Sequence, residues 1–147
     1  IIDARRYPLD CCFSMFKQLF AQGQEFTYGL EEAGSYYNSY VKLMDHWNTV
    51  LPGKVLQVNN EDIIDDLEFQ VTRLLNFLEL PFEESCIEFY KTDRSVRTAS
   101  SEQVRKPVNK AGMGRWKPYA KNLKLLIDNL DSNLLKNDDI KLINSLQ

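Results

Sequence analysis

Histidine occurs once and cysteine three times in the 147 residues, and both shortages exclude chemistry. Cys11, Cys12 and Cys86 cannot all pair, and the adjacent Cys11 and Cys12 are poorly placed to bridge each other, so a disulfide scaffold is not expected. They read as small apolar residues inside the helices of a reduced, intracellular protein. Zinc binding would require Cys-x-x-Cys or paired-His spacing, which is absent, and no catalytic or metal-ligating residue is assigned. A triad built on His46 is equally unsupported, and its Tyr- and Trp-rich surroundings fit a packing or surface residue. No apolar run reaches the roughly 18 to 20 residues that span a bilayer. The opening IIDARRYPLD lacks both the basic region and the long apolar region of a signal peptide. No membrane segment or export signal is therefore expected within these residues, and the compartment is read as cytoplasmic. The chain opens without Met, which creates the expectation that more sequence precedes it.

Apolar residues are not lacking. At 44% hydrophobic and 12% aromatic the chain can bury one real core, as the length of a single domain requires. The net charge of −3 conceals an asymmetry. Lys91 to Lys121 holds nine basic residues against Asp93 and Glu102, a local charge of +7 that leaves −10 for the remainder. Such a block is either a solvated surface or an anion-binding segment. Its Ser, Thr, Asn, Gly and Pro favour an ordered loop that offers backbone N–H and hydroxyl donors.

The pattern alternates short strands with helices. Ile1 to Arg5 reads as a strand. Pro8 then suits the first helical position and Asp10 the first turn of a helix running to about Ala21. A loop from Gln22 to Gly29 leads to a helix in which Ala33, Tyr37, Tyr40, Met44, Trp47 and Leu51 form a stripe expected to be buried. Pro52-Gly53 breaks it, and Lys54 to Asn59 reads as a second strand. Leu67, Val71, Leu74, Leu75 and Leu78 mark a third helix with Asp65 or Asp66 as its cap. A short helical segment is expected over Glu83 to Tyr90, and a terminal helix over Tyr119 to about Leu130. The division expected is residues 1–130 as the main body and 131–147 as a polar tail with some helical character. The fold class is α/β with a parallel sheet, in which ligands sit at the carboxyl ends of strands.

That rule singles out the exit of the first strand. Arg6 precedes a helix N-terminus, where free N–H groups and the dipole favour an anion, and Ser14 lies about two turns along the same helix. The competing reading pairs Arg6 with Asp10 and packs Ser14 within the helix.

The segment Arg6-Tyr-Pro-Leu-Asp-Cys-Cys-Phe-Ser14 resembles the strand-to-helix motif with which sulfotransferases hold the 3′-phosphate of 3′-phosphoadenylyl sulfate. A second segment, Ser100-Ser-Glu-Gln-Val-Arg-Lys-Pro-Val-Asn109 followed by Gly114-Arg115-Trp116, is similar to the C-terminal 3′-phosphate segment of two groups of that family. These are the tyrosylprotein sulfotransferases and the bacterial enzymes that often carry tetratricopeptide repeats upstream. Gly34-Ser-Tyr-Tyr, Leu43-Met-Asp-His-Trp47 and Leu51-Pro-Gly53 agree as well, so the resemblance covers roughly Ile1 to Leu126.

The resemblance implies the C-terminal part of a P-loop NTPase-like, parallel-sheet sulfotransferase fold, helix-rich over these residues. It implies transfer of a sulfuryl group from 3′-phosphoadenylyl sulfate to the hydroxyl or amine of an unidentified acceptor, releasing adenosine 3′,5′-bisphosphate. Carried over by position, Arg6 and Ser14 contact the 3′-phosphate. Ser100, Ser101, Gln103, Val104, Arg105, Lys106, Pro107 and Asn109 line the nucleotide, Lys110 stands near a basic pair of the cytosolic enzymes, and Arg115 adds charge. The partners implied are donor, acceptor and a tetratricopeptide-repeat region upstream, with neither nucleic acid nor membrane. A eukaryotic tyrosylprotein-type enzyme would place it in the Golgi lumen. Two departures stand out. Asn60-Glu61 replaces the family's Tyr-Glu, whose Tyr contacts adenine, and both the loop gripping the 5′-phosphosulfate and the catalytic base are expected upstream of Arg6. Alone, these residues are expected to transfer nothing. The alternative is a non-catalytic module in which the basic loop, Trp116 and Tyr119 bind nucleotide or single-stranded nucleic acid.

Overall fold

A computed structural model describes residues 1–20, 22–93, 95 and 101–146. In chain order these form β1 (Ile2–Arg5), α1 (Pro8–Phe16), α2 (Leu30–Val50), β2 (Leu56–Asn59), α3 (Asn60–Asp65), α4 (Leu67–Phe77), α5 (Lys124–Asn129) and α6 (Asn137–Ser145), with short 3-10 turns between them. The chain is a helix-rich α/β protein with one small parallel sheet. It divides into two units, each built from two stretches of chain: Ile1–Arg5 with Leu56–Ala111, and Arg6–Val55 with Gly112–Gln147.

The first unit holds the sheet. β1 and β2 run parallel, Ile2 opposite Leu56 and Arg5 opposite Asn59, in agreement with the strands read from the sequence. Val58 is the buried residue of β2, and Asp3 of β1 is buried with its carboxylate 2.7 Å from the Arg5 guanidinium. This pairing offsets the desolvation of the acid. α4 follows the expected pattern closely. The Asp66 carboxylate caps it by accepting from the Phe69 N–H at 3.1 Å, and Leu75 is buried. Arg73 on its other side donates to the Gln57 carbonyl of β2 at 2.9 Å, which ties the helix to the sheet. The helical segment expected over Glu83 to Tyr90 resolves into two 3-10 turns, Glu84–Cys86 and Phe89–Lys91.

The second unit holds the main core. Leu9, Cys12 and Phe13 of α1 meet Ala33, Tyr37 and Val41 of α2, together with Trp116, Leu123, Leu126 and Ile143. Full burial of a leucine such as Leu126 contributes roughly 1.5–3 kcal/mol. Gly34 allows the close approach of α2 and α5, since a Cβ there would lie 3.3 Å from the Leu126 carbonyl oxygen and the Asn129 Cβ. The tail read as polar carries α6, whose Ile143 and Asp139 are buried, and Asp139 pairs with Lys117 at 2.9 Å.

Three expectations need correction. α1 ends at Phe16 and not near Ala21, because beyond Phe13 the chain has little to bury: Ser14 and Phe16 to Leu19 are exposed. The α2 stripe is buried only in its first half. Ala33 and Tyr37 are in the core, but Trp47 is 38% and Leu51 41% exposed. The terminal helix expected from Tyr119 begins instead as a 3-10 turn, Lys117–Leu123, before passing into α5. In the tighter winding, residues three apart eclipse one another, which puts Ala120, Leu123 and Leu126 in one buried row.

Candidate functional site

Five residues of the second unit, Arg6, Asp10, Gly112, Gly114 and Arg115, come together at the start of α1. Pro8 opens the helix with its fixed φ and missing N–H, and no side chain caps it. Asp10, in the first turn, is 4% exposed. Its two carboxylate oxygens accept from the Gly114 N–H at 2.7 Å and the Arg115 N–H at 2.9 Å. Gly114 takes φ +68°, the left-handed conformation that glycine adopts without the steric cost of a Cβ. Its neighbour Trp116 is completely buried and anchors the segment in the core.

Arg6 adds a further tie. Its Nη2 donates to the Gly112 carbonyl, and a Cβ on Gly112 would sit only 3.1 Å from that nitrogen. Among the described residues, the buried Arg6 Nε and Trp116 Nε1 have no hydrogen-bond partner. Behind Arg6, its backbone carbonyl accepts from the Tyr37 hydroxyl at 2.6 Å, so α2 fixes the start of the motif. The segment Gly112–Trp116 is thus strapped to the start of α1 through the Arg6 guanidinium and the Asp10 carboxylate. Arg6 and Asp10 do not pair with each other, which removes the reading in which they form a local salt bridge.

The other residues predicted from the sequence distribute as follows. Arg115 is exposed on the strap, and Ser14 is exposed two turns into α1 with no side-chain hydrogen bond among the described residues. In the first unit, Ser101 and Val104 are half-buried while Gln103, Arg105, Lys106, Pro107, Asn109 and Lys110 are exposed. Gln103–Arg105 form a 3-10 turn, and Arg105 donates to the Thr92 carbonyl. Asn109 closes its own turn, donating to the Pro107 carbonyl at 3.1 Å and accepting from the Ala111 N–H at 3.0 Å. Lys110 pairs with Asp65 at 2.8 Å, both well exposed, where such a pair contributes little. Ser100 lies outside the described residues. The backbone donors expected of the Gly-rich loop are, at Gly114 and Arg115, already taken by Asp10.

Two more groups near the strap have altered acidity. Burial pushes the Tyr7 phenol well above its usual range, against the lowering effect of the bond from the Lys136 N–H at 3.3 Å. Burial also raises the Cys12 thiol, with Cys11 beside it adding to the effect. Both side chains stay protonated at neutral pH, and Cys12 is thereby unsuited to nucleophilic work. His46 is exposed on α2. Among the described residues no group of three His, Cys, Asp or Glu is placed to hold a metal ion, and no helix is long and apolar enough to cross a membrane.

Sequence reasoning missed the parts of Asp10 and Gly112. Asp10 read as an ordinary first-turn acid, and its partners lie 104 and 105 residues away, beyond any local signal. Comparison with known proteins gives the family of the chain. The chain is similar to an uncharacterized protein of Aquifex aeolicus (strain VF5), 32% identical over 142 residues that cover 95% of this chain but 19% of that protein. It therefore spans about a fifth of the length of that relative. A family model described as "Sulfotransferase family" matches residues 1–84, which include β1, Arg6, Asp10 and Ser14. The strand-to-helix motif at Arg6 lies within this match, and the chain belongs to the sulfotransferase family.

Proposed function

We propose that the start of α1 and the strap Gly112–Trp116 form the grip for the 3′-phosphate of 3′-phosphoadenylyl sulfate, in a protein that transfers the sulfuryl group to an acceptor hydroxyl or amine. The observation that carries this reading is the meeting of Arg6 with the segment bearing Arg115 at the start of α1: the Arg6 guanidinium is tied to the Gly112 carbonyl and the Arg115 backbone to the Asp10 carboxylate. Guanidinium groups match phosphate oxygens with paired N–H donors, and the helix end adds its own partial positive charge. Ser14, exposed on α1, supplies a hydroxyl on the same helix.

Ser100, Ser101, Gln103, Val104, Arg105, Lys106, Pro107, Asn109 and Lys110 are assigned to the nucleotide by family resemblance, and the two-stranded sheet to a P-loop NTPase-like parallel sheet on the same ground. Arg6 and Arg115 hold and orient the donor, with adenosine 3′,5′-bisphosphate as the leaving group. The proton of the acceptor and the bridging oxygen are handled by groups outside this chain, so these residues alone bind nucleotide without turning it over.

Calorimetry with adenosine 3′,5′-bisphosphate and adenosine 5′-monophosphate tests the reading. Wild type should prefer the bisphosphate. Arg6→Ala and Arg115→Ala should each weaken its binding by about tenfold or more, the loss of a charge-assisted contact. Equal affinity for the two nucleotides, or no loss in either variant, would remove the assignment.

A further inference from the structure

We propose that Asp10 is a positioning residue of this site: its buried carboxylate occupies the backbone anion cradle of the Gly114 turn and thereby sets where Arg115 can reach. The inference rests on the reading of the start of α1 as a 3′-phosphate grip.

Successive N–H groups that converge through a left-handed residue form a concavity suited to an anion. Gly114, at φ +68°, is such a residue, and the two N–H groups at 114 and 115 converge on one acceptor. That acceptor belongs to the protein. An incoming phosphate is therefore met by side chains, Arg6 and Arg115, and not by this stretch of backbone. Both ends of the arrangement are fixed: Asp10 is 4% exposed on α1 and Trp116 is completely buried. Arg115 lies between them with its backbone held and its side chain exposed. Arg6 is fastened to the same strap at Gly112. The Asp10 carboxylate thus fixes the backbone from which the Arg115 side chain extends. Its negative charge also partly offsets that of the two guanidinium groups, so the site binds by geometry as well as by net charge.

A double-mutant cycle on the full chain tests this. Asp10→Asn keeps the shape but turns one N–H donor of the side chain toward the strap amides. It should weaken adenosine 3′,5′-bisphosphate about tenfold by calorimetry, and in an Arg115→Ala background the same change should cost less than about twofold. Hydrogen exchange at the Gly114 and Arg115 amides should accelerate in Asp10→Asn, while thermal denaturation confirms that the protein is folded. Should Asp10→Asn fail to fold, Asp10→Glu takes its place in the cycle, with the same pattern expected because the carboxylate is displaced by a methylene. A wild type that does not prefer the bisphosphate over the 5′-monophosphate overturns the reading of the site, and the inference with it. A wild type that does prefer it, combined with an Asp10 variant that binds normally or loses as much in the Arg115→Ala background as without it, overturns the inference alone.

Discussion

Alanine at Gly112 separates the site from the fold. Among the described residues, a Cβ there would meet within 4 Å only the Arg6 guanidinium, with Nη2 at 3.1 Å and Cζ at 3.8 Å. Gly112 does not occupy the left-handed region, so alanine fits its backbone. The clash is with the far end of a flexible side chain, which must yield by a few tenths of an ångström. The expected cost to stability is the weakening of one hydrogen bond, no more than about 1.5 kcal/mol. Binding is affected more directly, since the moved group is the one proposed to hold the phosphate, and a misdirected guanidinium should lose about three- to tenfold in affinity. Gly114→Ala provides the contrast. Its Cβ would find only the Lys117 side chain at 3.5 Å, an ordinary contact, so its cost is conformational, about 1–2 kcal/mol for a side chain at positive φ. Urea denaturation and calorimetry with adenosine 3′,5′-bisphosphate, run on both variants, give the comparison. Normal binding by Gly112→Ala would mean that Arg6 does not face the nucleotide. A larger stability loss for Gly112→Ala than for Gly114→Ala would mean that the Arg6 contact serves the fold alone.

Two other expectations concern the core of the second unit. Cys12 and Tyr7 keep their protons in the folded protein above the pH at which the unfolded chain releases them, at ordinary values of 9.0 and 10.0. Stability is therefore full below pH 9 and falls as pH rises beyond it, by roughly 1 kcal/mol from Cys12 at pH 10. Denaturation at pH 8 and pH 10 should show this loss in wild type and a smaller one in Cys12→Ala; an equal loss would exclude the thiol as its source. Gly34→Ala gains about 1 kcal/mol of helix propensity but forces a methyl group against the Leu126 carbonyl oxygen at 3.3 Å, a clash of the class that costs about 1–3 kcal/mol. The backbone oxygen cannot swing aside, so net destabilisation is expected by thermal melting, and a raised melting temperature would show that α2 and α5 are packed less closely.

Features encoded locally were legible in the sequence. α4 was legible with its cap narrowed to Asp65 or Asp66 because these and the Leu67-to-Leu78 periodicity lie close together, and the two strands were bounded by Arg5-Arg6, Pro52-Gly53 and Asn59-Asn60. Periodicity, however, records an apolar face and not whether another element covers it. Trp47 and Leu51 continue the stripe of Ala33 and Tyr37 faultlessly, yet they remain exposed. The 3-10 winding at Lys117–Leu123 was hidden for a related reason, since Leu123 and Leu126 satisfy both helical periods. For the site, Arg6 was legible from its place between the first strand and a helix N-terminus, whereas Arg115 took its role only from a family motif. Asp10 shows why physics alone fell short: a carboxylate in a first turn has a sufficient local explanation, and its actual partners were brought to it by the burial of Trp116.

The division of the chain has a consequence for biosynthesis. The second unit is interrupted by Leu56–Ala111, and the ties that complete it join Arg6 to Gly112, Asp10 to Arg115 and Tyr7 to Lys136, across 106, 105 and 129 residues. A ribosome that has delivered α1 and α2 has delivered half a core, with Leu9, Phe13 and Tyr37 still waiting for Trp116 and Leu126. Contacts of such sequence separation form late and slowly. The nascent chain must therefore shelter an apolar surface until Trp116 and Leu126 emerge, and Arg6 has no strap to grip until Gly112 follows it.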